Sequence, residues 1–396
     1  MLRQVEGSKA IADTVAACRP EVICAYPISP QTHIVEGLSA IVKTGKLTNC
    51  EFINVESEFA AMSVAIGASA AGARAYTATA SQGLLYMVEA VYNASGLGLP
   101  IVMTVANRAI GGPINIWNDH SDSMSQRDSG WIQMYAETNQ EAADLHVQAF
   151  AIAEKLSLPI MVCMDGFILT HAYEQVEVPD QDDVDKYLPP FNPRQVLDPA
   201  DPVSIGAMVG PEAFTEVKYM SHMKNLEALS VIPAEAAKFS QIFNRDSGGL
   251  IRPYKMETAR NVVIALGSVL GTIKDVVEEM IVDGYSIGVL GLTTFRPFPF
   301  DAVRDALVNA HNVFVVEKAF QLGIGGIVTE NVRTSLRGTS THDQTLIAGL
   351  GGRPITKQAL RTYFEAAIEG KVEELTFLDL DKDLADIELE KERSRS

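Results

Sequence analysis

The stretch Val22-Ile23-Cys24-Ala25-Tyr26, followed by Pro27-Ile28-Ser29-Pro30-Gln31-Thr32, decides the reading of this chain. A short β-rich run stops at a proline-bounded turn, and a helical pattern continues over about 31–42. Proline fixes φ, removes a donor and biases its predecessor to extended geometry, so the run ends there. The unit then repeats. Residues 52–55 form a second apolar run before an Ala-rich helix at 56–72, and 75–80 a third before a helix opening at Ser81-Gln82-Gly83. Runs at 100–106 and 159–164 follow, the latter behind a helix at about 140–156. Strands alternating with helices require parallel pairing through crossovers, which predicts an α/β fold whose sheet is covered on both faces.

Residues 187–202 carry Pro189-Pro190-Phe191-Asn192-Pro193 and Asp198-Pro199-Ala200-Asp201-Pro202, the composition of a connector. Residues 203–258 read as an excursion without its own core, with an amphipathic helix at about 234–243. A second α/β unit opens at Asn261-Val262-Val263-Ile264-Ala265-Leu266 and ends in a helix N-capped by Thr356. The expected division is therefore 1–186, a linker and excursion at 187–258, a second domain at 259–378, and a charged tail at 379–396.

Among the 396 residues, 32 Lys plus Arg face 50 Asp plus Glu, a formal charge of −18 that repels phosphate backbones and excludes nucleic acid as a partner. No apolar run approaches the roughly 18–20 residues that cross a bilayer. Met1-Leu2-Arg3-Gln4-Val5-Glu6 lacks the pattern of a secretory signal, so a cytoplasmic protein without membrane contact is expected. Cys18, Cys24, Cys50 and Cys163 form no C-x-x-C pair and hold no iron–sulfur cluster; they read as small buried hydrophobes.

In an open parallel sheet, ligands bind where strands end and helices begin. Four polar junctions mark such ends: 26–32, 54–58, 79–83 and 106–109. On residue type alone each keeps two readings. Glu56 or Glu58 either complements a helix N-terminus or points into a shared cleft. Arg108 is either one half of a structural ion pair or a two-pronged carboxylate receptor. Ser29-Pro30 is either a plain turn or a hydroxyl donor. Thr79-x-Ser81-x-Gly83 lacks the first glycine of a nucleophile elbow, and neither His311 nor His342 sits in a motif, which sets a hydrolase aside. Asn118-Asp119-His120-Ser121-Asp122 has no H-x-x-x-H partner and reads as a polar loop with an Asx turn, and no metal site is expected. Gly323-Ile324-Gly325-Gly326 lacks the Lys-Ser/Thr of a phosphate loop.

These motifs together resemble one family. Tyr26-Pro-Ile-Ser-Pro-Gln-Thr32, Glu56-Ser-Glu58-Phe-Ala-Ala and Thr79-Ala-Ser-Gln-Gly-Leu-Leu85 are similar to the alpha subunit of multi-subunit pyruvate:ferredoxin oxidoreductases and related 2-oxoacid:acceptor oxidoreductases. Asn107-Arg108-Ala with Ile116-Trp-Asn-Asp-His120, Gly291-Leu-Thr-Thr-Phe-Arg-Pro-Phe-Pro299 and Val315-Val-Glu-Lys318 extend the resemblance over nearly the whole chain. It implies a thiamine diphosphate pyrimidine-binding domain followed by a transketolase C-terminal-like α/β domain. It implies Glu58 against N1′ of the aminopyrimidine, with Pro27, Ile28, Ser81, Gln82 and Gly83 lining the cofactor pocket. Ser29, where the family usually has Thr, would meet the substrate with Arg108, Asn118 and His120, and Asp119 would lie near it. A Gly-Asp-Gly motif with a downstream Asn is missing, Asp165-Gly166 being the nearest stretch. The resemblance therefore places Mg2+ and iron–sulfur clusters on other subunits, with thiamine diphosphate shared between chains. Implied partners are beta, gamma and delta subunits, ferredoxin, pyruvate and coenzyme A, and the implied products are acetyl-CoA and carbon dioxide. A branched-chain or 2-oxoglutarate relative is the alternative substrate class, and a non-catalytic scaffold subunit the alternative role.

Overall fold

A computed structural model describes residues 2–395; Met1 and Ser396, the outermost residues of the expected first domain and tail, lie outside the described residues. The architecture is α/β, built on two mainly parallel sheets. The first has seven strands in the order Thr294–Arg296, Ile132–Tyr135, Ile160–Asp165, Val102–Asn107, Ala75–Thr79, Val22–Ala25 and Glu51–Asn54. All neighbours in it run parallel except the Thr294–Arg296 edge. Val102–Asn107 and Ile160–Asp165 are buried at every position, because helices cover both faces.

Strand order locates the crevice. From Val22–Ala25 the chain goes outward to Glu51–Asn54, then returns to place Ala75–Thr79 on the other side. The order reverses between Val22–Ala25 and Ala75–Thr79, and a crevice opens beyond their carboxyl ends. The helix Glu58–Ala70 packs across both strands, so its first residue arrives at that crevice.

The second sheet has six strands in the order Leu375–Phe377, His342–Ile347, Asn312–Glu317, Asn261–Ala265, Ile287–Leu292 and Ile251–Tyr254, only the last antiparallel. One buried cluster unites the two units: Met103, Val105, Trp131 and Tyr135 share it with Ile264, Leu292, Phe295 and Val315. Thr294–Arg296 belongs in sequence to the second unit yet completes the first sheet.

Several elements were not anticipated. Leu2–Glu6 pairs with Tyr173–Glu177, and the helix Gly7–Ala17 precedes the first expected strand. The amphipathic segment expected at about 234–243 is the end of a 30-residue helix, Phe214–Phe243, that runs through Pro233. Its second half inserts Ala228, Ile232 and Phe239 into the first unit's core, and that packing outweighs the missing N–H. Thr356 caps the helix Lys357–Ile368, its Oγ1 accepting the Ala359 N–H at 3.1 Å. The charged tail forms a helix, Lys382–Arg395, exposed at nearly every position over 382–394. No helix among the described residues is long and apolar enough to cross a membrane.

Candidate active site

Gln31 fixes the first junction. Fully buried, it donates through Nε2 to the carbonyl of Ala78 at 2.5 Å and of Tyr26 at 3.4 Å, and accepts the Ile28 N–H at 3.2 Å. The turn holding Pro27, Ile28 and Ser29 is thereby sewn to the neighbouring strand. Pro27 and Ser29 are exposed and Ile28 is half-buried, and among the described residues the Ser29 hydroxyl has no hydrogen-bond partner.

At the second junction Ser57 is an extended N-cap whose hydroxyl accepts the Ala60 N–H at 3.2 Å. The cap leaves Glu58 as the first helical residue, 9% exposed, and among the described residues its carboxylate has neither hydrogen-bond nor ion-pair partner. Its neighbour is the bare face of Gly83: a Cβ there would lie 2.8 Å from Glu58 Oε1 and 2.5 Å from Thr79 Oγ1. The Thr79 hydroxyl is also buried without a partner. Buried polar groups are normally satisfied, so an unsatisfied buried hydroxyl and a partnerless carboxylate converging on a glycine mark a place for a ligand's polar edge. Glu56 is exposed.

Asp122, fully buried, ties the remaining two junctions together. Its Oδ2 accepts the backbone N–H of Ser81 and of Arg108, each at 2.9 Å, and its Oδ1 accepts Asn107 Nδ2 at 2.8 Å and the Ser123 N–H at 2.7 Å. Burial pushes its carboxyl up to about 6, against the pull of these donors. Ser81 has φ +47°, and its hydroxyl donates to the Ala109 carbonyl at 2.5 Å and contacts Gln82 Oε1. Gln82 in turn packs over Gly111, where a Cβ would displace its amide.

Arg108 is 7% exposed, and its guanidinium donates from Nη1 to the Ser29 carbonyl at 3.0 Å and from Nε to the Asn115 carbonyl at 3.1 Å. No carboxylate among the described residues lies within ion-pair distance of it, so the ion-pair reading falls away. Burial lowers its pKa, partly offset by the Asp122 carboxylate, which accepts its backbone N–H.

The loop that follows crosses to the second unit. Asn115 Nδ2 donates to the Gly351 carbonyl at 3.1 Å, and Asp119 Oδ2 accepts the Gly351 N–H at the same distance. Asp119 Oδ1 also takes the Ser121 N–H at 2.9 Å, the expected Asx turn. Asn118 is buried and its Nδ2 is unpartnered. His120, 2% exposed, is committed elsewhere: Nε2 lies 2.6 Å from Asp165 Oδ1, and its N–H donates to the Lys318 carbonyl at 2.9 Å. Asp165 Oδ2 meets Lys318 Nζ at 3.2 Å and the Ser268 N–H at 2.9 Å, with the Ser268 hydroxyl in contact. Burial favours the neutral acid, yet Lys318 and then His120 hold Asp165 well below the usual carboxylate range. This cluster joins the units. It also occupies the carboxylate of the Asp165-Gly166 stretch.

The structure thus brings Ser29 and Arg108 together directly, Glu58 and Gly83 by packing, and Ser81 and Arg108 through Asp122. Gln31, Asn107, Asp122 and Lys318 are positioning residues that sequence reasoning missed. Their partners are backbone groups or residues of distant segments, which leave no mark in local spacing. A groove of about 1060 Å³ opens at the other, amino-terminal ends of the strands, between residues 92–100, 127–130 and 191–226. It shares none of the row's residues.

Two family models cover most of the chain: pyruvate flavodoxin/ferredoxin oxidoreductase, thiamine diphosphate-binding, over residues 13–236, and pyruvate:ferredoxin oxidoreductase core domain II over 259–360. The chain belongs to the pyruvate:ferredoxin oxidoreductase family. Pyruvate synthase subunit PorA of Methanosarcina barkeri is 47% identical to this family member over 390 residues, covering 96% of this chain and 97% of the relative. Subunit PorA of Thermotoga maritima is 42% identical, with 93% and 95% covered. Ketoisovalerate oxidoreductase subunit VorA of Pyrococcus horikoshii is 37% identical, with 91% and 92% covered. Among solved structures, the 2-oxoglutarate:ferredoxin oxidoreductase from Magnetococcus marinus, with 2-oxoglutarate, coenzyme A and succinyl-CoA bound, shares the fold at a TM-score of 0.71 and 18% identity. The match covers 93% of this chain and 65% of that one.

Proposed function

We propose that this chain is the alpha subunit of a pyruvate:ferredoxin oxidoreductase. The complex converts pyruvate, coenzyme A and oxidised ferredoxin to acetyl-CoA, carbon dioxide and reduced ferredoxin, and runs in reverse with a strong reductant. The observation that carries the reading is the unpartnered Glu58 carboxylate against the bare face of Gly83, on the same row of strand ends as a guanidinium with no carboxylate in ion-pair reach among the described residues. Higher identity to relatives named pyruvate synthase than to the ketoisovalerate one, 47% and 42% against 37%, supports pyruvate over branched-chain oxoacids.

These residues fit the aminopyrimidine half of thiamine diphosphate, which when bound supplies the nucleophilic carbon and the electron sink for decarboxylation. Glu58 would hold a proton at N1′, and Pro27, Ile28, Ser81, Gln82 and Gly83 would wall the ring. Arg108 would take the substrate carboxylate through two parallel hydrogen bonds, with the Ser29 hydroxyl beside it. Asn118 would reach the substrate from the loop that spans the units, while His120 would set that loop through Asp165. We assign residues 1–186 to pyrimidine binding, 187–258 to linker and excursion, 259–378 to the transketolase C-terminal-like domain and 379–396 to a partner-facing tail. Beta, gamma and delta subunits would bring Mg2+, the rest of the thiamine site and the iron–sulfur clusters, in the cytoplasm.

The test is a panel of 2-oxoacids on the purified complex with ferredoxin as acceptor, for wild type and Arg108→Lys. Pyruvate should be the preferred substrate. The variant should lose roughly 10- to 100-fold in kcat/KM at unchanged thiamine content, because Lys offers one point contact and misorients the reacting carbonyl. Equal turnover of branched-chain oxoacids would overturn the substrate, and unchanged kinetics in the variant would overturn the role of Arg108.

A further inference from the structure

We propose that Glu6, His33 and His171 form a binding site for one divalent first-row transition-metal ion of the zinc class. Spacing along the chain marks no such site, since the three donors come from distant segments. Glu6 ends the strand Leu2–Glu6, His33 lies in the first turn of the helix Thr32–Lys43, and His171 follows the turn after Ile160–Asp165. The fold brings one ligand atom of each within 4.8 Å of the others, the sole such convergence of three among the described residues. His33 Nδ1 already lies 2.6 Å from Glu6 Oε1, and the two imidazole rings face each other with centroids 4.6 Å apart.

Two further features suit a metal. The His171 Nδ1 lies 2.7 Å from Thr170 Oγ1, a fully buried hydroxyl that also accepts the Phe167 N–H at 2.8 Å. A ring whose Nδ1–H donates to that oxygen presents the Nε2 lone pair outward, as metal-bound histidines do. Phe167 also packs on His171, with ring centroids 4.8 Å apart, and limits its swing.

The donor set selects the ion. Two imidazoles and one carboxylate form the mixed nitrogen–oxygen set of zinc-type sites, with the fourth position left to water. Calcium and magnesium prefer all-oxygen shells and should compete poorly. Tetrahedral bonds of about 2.0–2.2 Å separate donors by roughly 3.4 Å, so the exposed His33 ring need only turn away from Glu6 to admit the ion. His33 is four residues beyond Ser29, so the ion would clamp the substrate turn to the amino-terminal strand.

The experiment is a titration of the full chain with Co2+, read by visible absorption, and with Zn2+, read by calorimetry, for wild type, His33→Gln and His171→Gln. One equivalent per chain is expected, together with the intense tetrahedral Co2+ band and a rise of several degrees in melting temperature. Each variant should weaken binding at least tenfold while keeping the far-ultraviolet circular dichroism of wild type. A fold control that fails is replaced by Glu6→Gln, which keeps its size and removes only the charge. No saturable binding to wild type, or equal affinity in wild type and both histidine variants, would overturn the proposal. Displacement of Zn2+ by millimolar Mg2+ would overturn the assigned class of ion.

Discussion

Glu58 and Glu317 are the same residue type in nearly the same setting, a buried carboxylate at a strand-to-helix junction, and the chain uses them in opposite ways. Glu317, 3% exposed, is saturated: it accepts the Val328 and Thr329 N–H groups at 2.7 and 2.9 Å and the Thr329 hydroxyl at 2.6 Å. Those are the orphan donors at the start of the helix Ile327–Ser335, so its charge serves the fold. Glu58 also opens a helix, but Ser57 has already taken the Ala60 donor, and the carboxylate is left over. A buried acid whose needs are met is architecture. One whose needs are unmet awaits a ligand.

The sharpest way to break this contrast is to neutralise both acids. Glu58→Gln should leave the complex assembled and slow hydrogen exchange at C2 of bound thiamine by roughly 10²–10⁴-fold, the range for a positioned acid–base group. Glu317→Gln should leave that exchange near wild type while lowering stability by about 1–3 kcal/mol through a mismatched amide at the helix start. Exchange measured by NMR on the reconstituted complex, with melting curves alongside, separates the two. Equal losses of exchange in both variants would erase the distinction.

Asp165 extends the contrast to a saturated ion cluster. Asp165→Asn strands Lys318 and removes the partner of His120 in a dry seam, so a loss of about 3–5 kcal/mol in denaturant unfolding is expected. The folded-state pKa is depressed, so the stability from this carboxylate is present at neutral pH and lost as pH falls below the ordinary Asp range. The penalty of the variant should therefore shrink in acid.

Asp122 has the opposite sign and a smaller effect. Its folded pKa of about 6 stands above the ordinary 3.8, so between these values the folded chain binds a proton that the unfolded chain has released. Its contribution favours folding at the acid end and turns into a cost as pH rises through about 6. Asp122→Asn, compared with wild type, should gain up to about 3 kcal/mol of relative stability between pH 4 and 7. A difference between the two proteins that does not change over that window would remove this account of Asp122.

The α/β alternation was legible because central strands buried on both faces leave unbroken apolar runs, as Val102–Asn107 does. Strands with polar or exposed positions do not. His342–Ile347 begins with three polar residues, and Leu2–Glu6 is mostly exposed, so neither stands out from a loop. Within the candidate site, residue type alone left Ser29, Glu58 and Arg108 with two readings each, and the family resemblance is what proposed their roles. What the residues could not disclose is commitment. His120 and Asp122 sit two apart in one polar stretch, yet one is bound to an ion cluster with the second unit and the other to the amides of two strand-end turns. Only long-range pairing distinguishes them.

The strand Thr294–Arg296 has a consequence for synthesis. It closes the first sheet against Ile132–Tyr135, with Tyr135 donating its N–H to the Thr293 carbonyl at 2.7 Å. A ribosome makes Ile132–Tyr135 about 160 residues before its cover, a delay on the order of ten seconds or more at roughly 5–20 residues per second. Throughout that interval the nascent first unit carries an open row of backbone donors and acceptors, a template for any strand nearby. A chain cut after residue 258 would keep that edge permanently. The first unit's sheet is therefore completed only when the second unit is made.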